Sequence, residues 1–338
     1  MKTWPLSVLC SLLVLGLQPQ TSFAQAGGPK ITLDVVVTGG GKPAPGLTAQ
    51  DFVITDNKKA VTNLAVEPPS ETNIILVLDT QNAQVKDIPN EVRDLHAFFS
   101  QNNGQLKHPV SLAIVNVAGL EMTEQPTTDG AKLSAFLDQK TTTQVHTVPN
   151  NSGFYGDVQK LNNSLKTLVD LINTNLSRGP GRKMLIWMGH PWPVIIAGDL
   201  TAKDEDAAFL EIAQTATSLR RTRITLYSVD PTVSAYQGTG YDDYVWHGFL
   251  KPAASAKGVE LGDLALEVIA TQDGGQVINS VSNLADELNR CFADADDFYT
   301  VTFDAAPAAH PNEYHPIAIK MGKPGLSART QQGYYSHP

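Results

Sequence analysis

The rhythm of apolar and polar residues changes twice along this chain, and each change marks a change in the kind of structure. Near the start, Ile31, Leu33, Val35 and Val37 alternate with Thr32, Asp34 and Val36, which is the period of a strand with one strongly apolar face. A turn through Gly39-Gly40-Gly41-Lys42-Pro43 follows. Two further short runs, Asp51 to Asp56 and Val61 to Val66, are separated by the turn residues Asp56-Asn57-Lys58-Lys59 and closed by Pro68-Pro69. The pattern predicts three strands of a small β module.

From Asn73 the period lengthens. Ile74 to Leu78 is an unbroken apolar run, which suits a strand buried on both faces of a parallel sheet, and it delivers Asp79 to the strand's carboxyl end. Helical spacing follows over Ile88 to Ser100, with Val92, Leu95, Phe98 and Phe99 inward. Val110 to Val117 reads as a strand with a partner over Gly119 to Thr127, and Asp129 opens a helix running through Leu137. Thr141 to Gly156 is polar and irregular, and Asp157 to Leu176 is helical again. Strands at Lys183 to Met188, Arg223 to Val229 and Val277-Ile278 are interleaved with helices at Ala202 to Arg221, Leu261 to Thr271 and Asn283 to Ala293. The last change restores alternation over Phe298 to Phe303, Tyr314 to Met321 and Leu326 to Tyr335. The fold class this predicts is α/β: a doubly wound, mostly parallel, Rossmann-like sheet flanked by helices. A small β module built from the N- and C-terminal segments stands beside it.

The first residues alter the picture of the mature product. Lys2, the apolar run Leu6 to Leu17 and the small residues around Ala24 and Ala26 predict an export signal over residues 1–26. The organisation is then 27–69 for the first β strands, 70–295 for the α/β domain and 296–338 for the strands that complete the module. That apolar run is shorter than the ~20 residues of a membrane span. Cys10 lies inside the signal, so Cys291 stands alone, without an internal disulfide partner and without companions for a cysteine zinc site. A formal charge of −9 with no basic block argues against nucleic acid as a partner.

Several stretches together resemble the VWFA-related domain family, secreted bacterial relatives of the von Willebrand factor type A fold. They are Asp34-Val35-Val36-Val37-Thr38, Gly46 to Phe52, the strand into Asp79-Thr80, Pro180-Gly181-Arg182-Lys183, Ile224 to Asp230, and Pro324-Gly325-Leu326 through Gly333-Tyr334-Tyr335. The resemblance implies a type A-like domain. In that fold a divalent cation sits at the carboxyl edge of the sheet, on an Asp-x-Ser-x-Ser loop, a Thr and a further Asp. Here Asp79 matches the first ligand, but Gln81 and Ala83 stand where the serines belong, and Gly189-His190 stands where the Asp belongs. Ser152 is the nearest candidate for the Thr. Mg²⁺ demands near-octahedral oxygen ligation, which this set falls short of, so the resemblance implies a degenerate adhesion site and no required cofactor. Were Mg²⁺ or Ca²⁺ bound, Asp79, Gln81, Ser152 and His190 would be its ligands.

Outside that loop, Asp79 with His190 is one or two ligands short of a zinc site. The chain lacks a Gly-x-Ser-x-Gly elbow, a phosphate-binding loop after the first strand and a His-Glu-x-x-His helix, so no enzyme class is indicated. Asp230 to Lys257 carries Tyr236, Tyr241, Tyr244, Trp246 and Phe249 among Gly, Pro and Asp; with Trp192 these aromatics are the candidate binding surface. Whether they anchor a ligand or fold back as a lid stays open on the sequence. The expected function is that of an exported, periplasmic or extracellular, non-catalytic protein that binds a protein or cell-envelope ligand. A cation-dependent adhesion module and a hydrolase with a dispersed site are the alternatives.

Overall fold

The apolar run into Asp79 forms the middle of an open sheet, as its unbroken hydrophobicity requires. A computed structural model describes residues 29–142, 153–176, 179, 181–196, 200–231, 245–279 and 283–336; the expected signal segment, Ser152, Tyr236, Tyr241 and Tyr244 lie outside these described residues. In chain order the first strands are β1 (Lys30–Gly39), β2 (Lys42–Pro43), β3 (Phe52–Asp56), β4 (Lys59–Ala60) and β5 (Ala65–Glu67). Then come β6 (Asn73–Asp79), α1 (Ile88–Phe99), the single turn α2 (Gln101–Gly104), β7 (Gln105–Asn116), β8 (Gly119–Met122), β9 (Thr127–Asp129), α3 (Gly130–Thr142) and α4 (Phe154–Leu176). The second half holds β10 (Lys183–Met188), α5 (Ala202–Thr222), β11 (Ile224–Asp230), α6 (Leu266–Gln272), β12 (Val277–Asn279) and α7 (Leu284–Asp294). It closes with β13 (Phe298–Asp304), β14 (Glu313–Met321), β15 (Leu326–Arg329) and β16 (Gly333–Ser336).

The central sheet runs β12-β11-β10-β6-β7-β8, with β9 also paired to β7. β6, β7, β10, β11 and β12 are parallel, while β8 and β9 run antiparallel at one side. The strand partner expected over Gly119 to Thr127 is thus two short strands on β7. In sheet order the chain moves outward from β6 through β7, then returns and moves outward the other way from β10. That reversal makes a topological switch between β6 and β10, the position at whose carboxyl edge open α/β sheets place their ligands. Successive side chains of β6 serve opposite layers. Ile74, Leu76 and Leu78 pack with Leu95, Phe98, Leu133 and Leu288 on one face, and Ile75 and Val77 pack with Leu161, Leu165, Leu168 and Ile212 on the other. Burial on both faces is the reason no polar residue interrupts the run.

The two ends of the chain supply two further sheets, β15-β1-β13-β5 with β2, and β16-β14-β3-β4. Ile31, Leu33, Val35 and Val37, the apolar face read from the alternation, pack against Phe52, Ile54, Ile317 and Tyr334 in a shared core. Leu326 to Tyr335 is not one strand: β15 joins the first sheet and β16 the second, and residues 330–332 carry the chain across. The junction with the central sheet is polar. Asp34 accepts a hydrogen bond from Arg223 Nη2 at 2.5 Å and has Arg182 Nε 3.7 Å away. Arg182 Nη1 donates to Thr72 Oγ1 at 2.7 Å, and its guanidinium lies over the Phe298 ring. Among the described residues no helix is long and apolar enough to cross a membrane.

Candidate functional site at the carboxyl edge

Asp79 ends β6 with its side chain wholly buried. Its two oxygens accept four hydrogen bonds. Oδ1 receives the backbone N–H groups of Gln81 at 2.9 Å and Asn82 at 3.1 Å, the turn that an Asp makes with the residues just after it. Oδ2 receives Asn82 Nδ2 at 2.7 Å and Trp187 Nε1 at 2.9 Å. Burial pushes this carboxyl above its ordinary pKa, and the hydrogen bonds from Asn82, Trp187 and Gln81 oppose that rise. The group is held as an acceptor facing protein donors, in a setting where a Mg²⁺ ligand would face the ion.

The neighbours complete the closure. Asn82 Nδ2 also donates to Ser164 Oγ at 3.0 Å, and Gln81 Nε2 reaches the same oxygen at 3.4 Å. Ser164 lies within α4 between Leu161, Leu165 and Leu168, one helical turn from the first and last, so it points inward with them. Ala83 is buried and offers no oxygen. Gly189 presses on the strand end: a Cβ there would lie 2.9 Å from the Asp79 carbonyl oxygen, and its φ of 141° is one that side-chain-bearing residues rarely adopt. The loop that should bring a second Asp therefore brings close backbone packing. His190 next to it is half-buried and pairs with no carboxylate among the described residues.

Two more carboxyls stand behind the loop. Asp230, at the end of β11, and Glu91, in the first turn of α1, are each 2% exposed. Neither oxygen of Glu91 has a hydrogen-bond partner, and burial, together with the charges of Asp79 and Asp230, raises its pKa to about 8. At neutral pH Glu91 keeps its proton. Among the described residues no group of three or more His, Cys, Asp or Glu side chains is placed to hold a metal ion.

Of the residues singled out by sequence, Asp79 and Gln81 meet here, and His190 sits beside them without joining the hydrogen bonds. Asn82, Ser164, Trp187 and Glu91 are the members that sequence reading missed. Ser164 and Glu91 had a signal, each being a polar residue on the inward side of an amphipathic helix. Trp192 and Trp246 are corrections to the proposed binding surface. Trp192 is 1% exposed and meets Trp187 edge-on at 5.1 Å between ring centres. Trp246 is 8% exposed and packs on Ala265 and Val268, because the 3-10 turn Val245–Phe249 folds onto α6. Phe249 is half-buried, its ring against Gly262. Cys291 is buried and burial pushes its thiol well up, so it acts as a small core residue.

No protein-family model matches the chain, and no curated protein matches it. Solved structures to which the chain shows some similarity include the human COPII-coat protein Sec24c, at 11% identity, with a TM-score of 0.39 over 80% of this chain and 44% of that one. Also similar are manganese-loaded TRAP protein of Plasmodium vivax, at 9% identity and TM-score 0.34 over 85% of this chain and 100% of that one, and the ArnB paralog VWA2 of Sulfolobus acidocaldarius. The last shows 8% identity and a TM-score of 0.30, covering 90% of this chain and 76% of that one. This chain therefore spans under half of the Sec24c chain.

Proposed function

We propose that this is an exported, non-catalytic binding protein whose type A-like domain engages a protein or cell-envelope ligand at the carboxyl edge of the central sheet, by direct contact and without a bridging cation. The observation that carries this reading is the saturation of Asp79 by four donors of its own chain. A cation could reach this carboxyl only by displacing buried hydrogen bonds, whose donors would be left unsatisfied at a cost.

The surroundings support contact by apolar side chains. The loops at this edge present Val85 at 49% exposure, Val117 at 45% and Ile196 at 66%, and α4 presents Tyr155 at 84%. α4 overhangs the edge: Ser164 is level with Asp79, so Tyr155, nine residues nearer the N-terminus, stands roughly 13 Å beyond it at the helical rise per residue. Tyr is the kind of side chain that anchors interfaces.

The test is capture of ligands from the native cell envelope with purified mature protein, in buffer with and without EDTA. Specific capture that survives EDTA and is lost in the Tyr155→Asp, Ile196→Asp double variant is the expected result. Capture that EDTA abolishes, or that both substitutions leave intact, would sink the reading.

A further inference from the structure

A second site lies away from this edge, where the end-built sheets meet α7. There a cavity of about 430 Å³ opens between β1, β2 and β15 on one side and α7 with the turn after it on the other. Its volume falls within the range of small-molecule sites, and such sites favour the junctions between structural units. Val36, Pro43 and Ala328 give it apolar wall, and the hydroxyls of Thr38 and Ser327, 3.1 Å apart, add polar groups.

The charges in its wall are unequal. Asp294 is engaged through Oδ2, which accepts from Tyr227 Oη at 2.7 Å and Gln276 Nε2 at 2.8 Å and also from Arg329. Arg329 is spent on Asp294 and on the Gly274 carbonyl, and Arg290 on Glu287. Asp297 is different. It is 5% exposed, its backbone is fixed by Val37 N–H donating to its carbonyl at 3.2 Å, and its Oδ1 has no hydrogen-bond partner. The nearby cation Lys107 pairs with Asp296 instead. A buried carboxylate left this way is costly unless something supplies donors or positive charge. Burial, Asp294 and Asp296 accordingly raise the Asp297 pKa to about 6.

We propose that this cavity is a binding site for a small organic molecule bearing a protonated alkylamine, whose ammonium group is held by Asp297 and whose carbon chain lies along Val36, Pro43 and Ala328. An ammonium supplies three donors and the missing charge in one group. The apolar wall suits the methylenes behind it. Free amines and lysine side chains share this chemistry, so the probes are putrescine and Nα-acetyl-lysine amide, with n-butanol as the uncharged control.

The experiment is a titration of the mature protein followed by amide NMR shifts. Saturable shifts at Gly41, Gln276 and Ala328 with either amine, and none with n-butanol, are expected; the amine that binds tighter identifies which source the site prefers. Asp297→Asn should weaken binding by at least about tenfold, the scale of losing one partner of a buried charged pair. Ala328→Leu, which fills the cavity and leaves the carboxylate, should weaken it likewise, and it keeps the test decisive if Asp297→Asn does not fold. Absence of saturable shifts, equal binding by n-butanol, or affinity unchanged in the folded variants would overturn the proposal.

Discussion

Glu91 is buried with neither oxygen hydrogen-bonded and holds its proton, and that has a measurable cost. Its pKa in the fold, about 8, stands above its ordinary 4.5. Between those two values the folded state keeps a proton that the unfolded chain has released, so the contribution is fully present below pH 4.5 and is lost as pH rises through about 8. Asp273, also raised to about 8 by burial, adds a slope of the same sign. Glu91→Gln removes the first slope and leaves the second. Urea unfolding at pH 5 and pH 8.5 should show wild type losing more stability across that range than the variant, by roughly 2–4 kcal/mol. Equal losses would mean that Glu91 is not protonated in the fold. At Asp79 itself, Trp187→Phe keeps the aromatic packing and removes one donor to Oδ2. The expected cost is about 1–3 kcal/mol, read as a lower urea midpoint with unchanged slope.

At the scale of elements, the close approach between the end of β10 and the end of β6 makes the sheet edge intolerant of side chains. Gly189→Ala puts a Cβ against the Asp79 carbonyl at a positive φ, and should destabilise by roughly 1–3 kcal/mol in thermal or urea melts. Stability equal to wild type would show that the two loops separate easily. The same scale explains what could be read in advance. Strands buried on both faces, such as Ile74 to Leu78, and helices with a clean apolar stripe, such as Asp157 to Leu176, declare themselves by period. Long-range joins do not: the division of Leu326 to Tyr335 between two sheets depends on partners almost 300 residues away for β15 and about 20 away for β16. The site was legible in Asp79 and Gln81, which the run of sequence after the buried strand picks out. Its closure by the donors Asn82 and Trp187 and the acceptor Ser164 was not, since those side chains come from three separate parts of the chain. Trp192 and Trp246 are folded in, one of the two outcomes that aromatics beside Gly and Pro leave open.

For the molecule as a whole, the Asp34, Arg182, Thr72 and Arg223 cluster joins the sheets built from the chain ends to the central sheet. Arg182 is 3% exposed, and burial lowers its pKa to about 9, with Asp34 opposing the fall. Arg182→Ala should cost about 3–5 kcal/mol, as breaking a buried ion pair does, and calorimetry should show a clearly lower melting temperature. A melting temperature within a degree or so of wild type would show that the two parts hold together without this cluster. At the opposite edge of the same sheet Asp79 is surrounded by protein donors, and the proposed cation-free binding depends on that enclosure. The most direct test is calorimetric titration of the mature protein with Mg²⁺, Ca²⁺, Mn²⁺ and Zn²⁺, alongside Asp79→Ala. No stoichiometric heat from any of the four is the predicted result, whereas a tight one-to-one site that disappears in Asp79→Ala would contradict it.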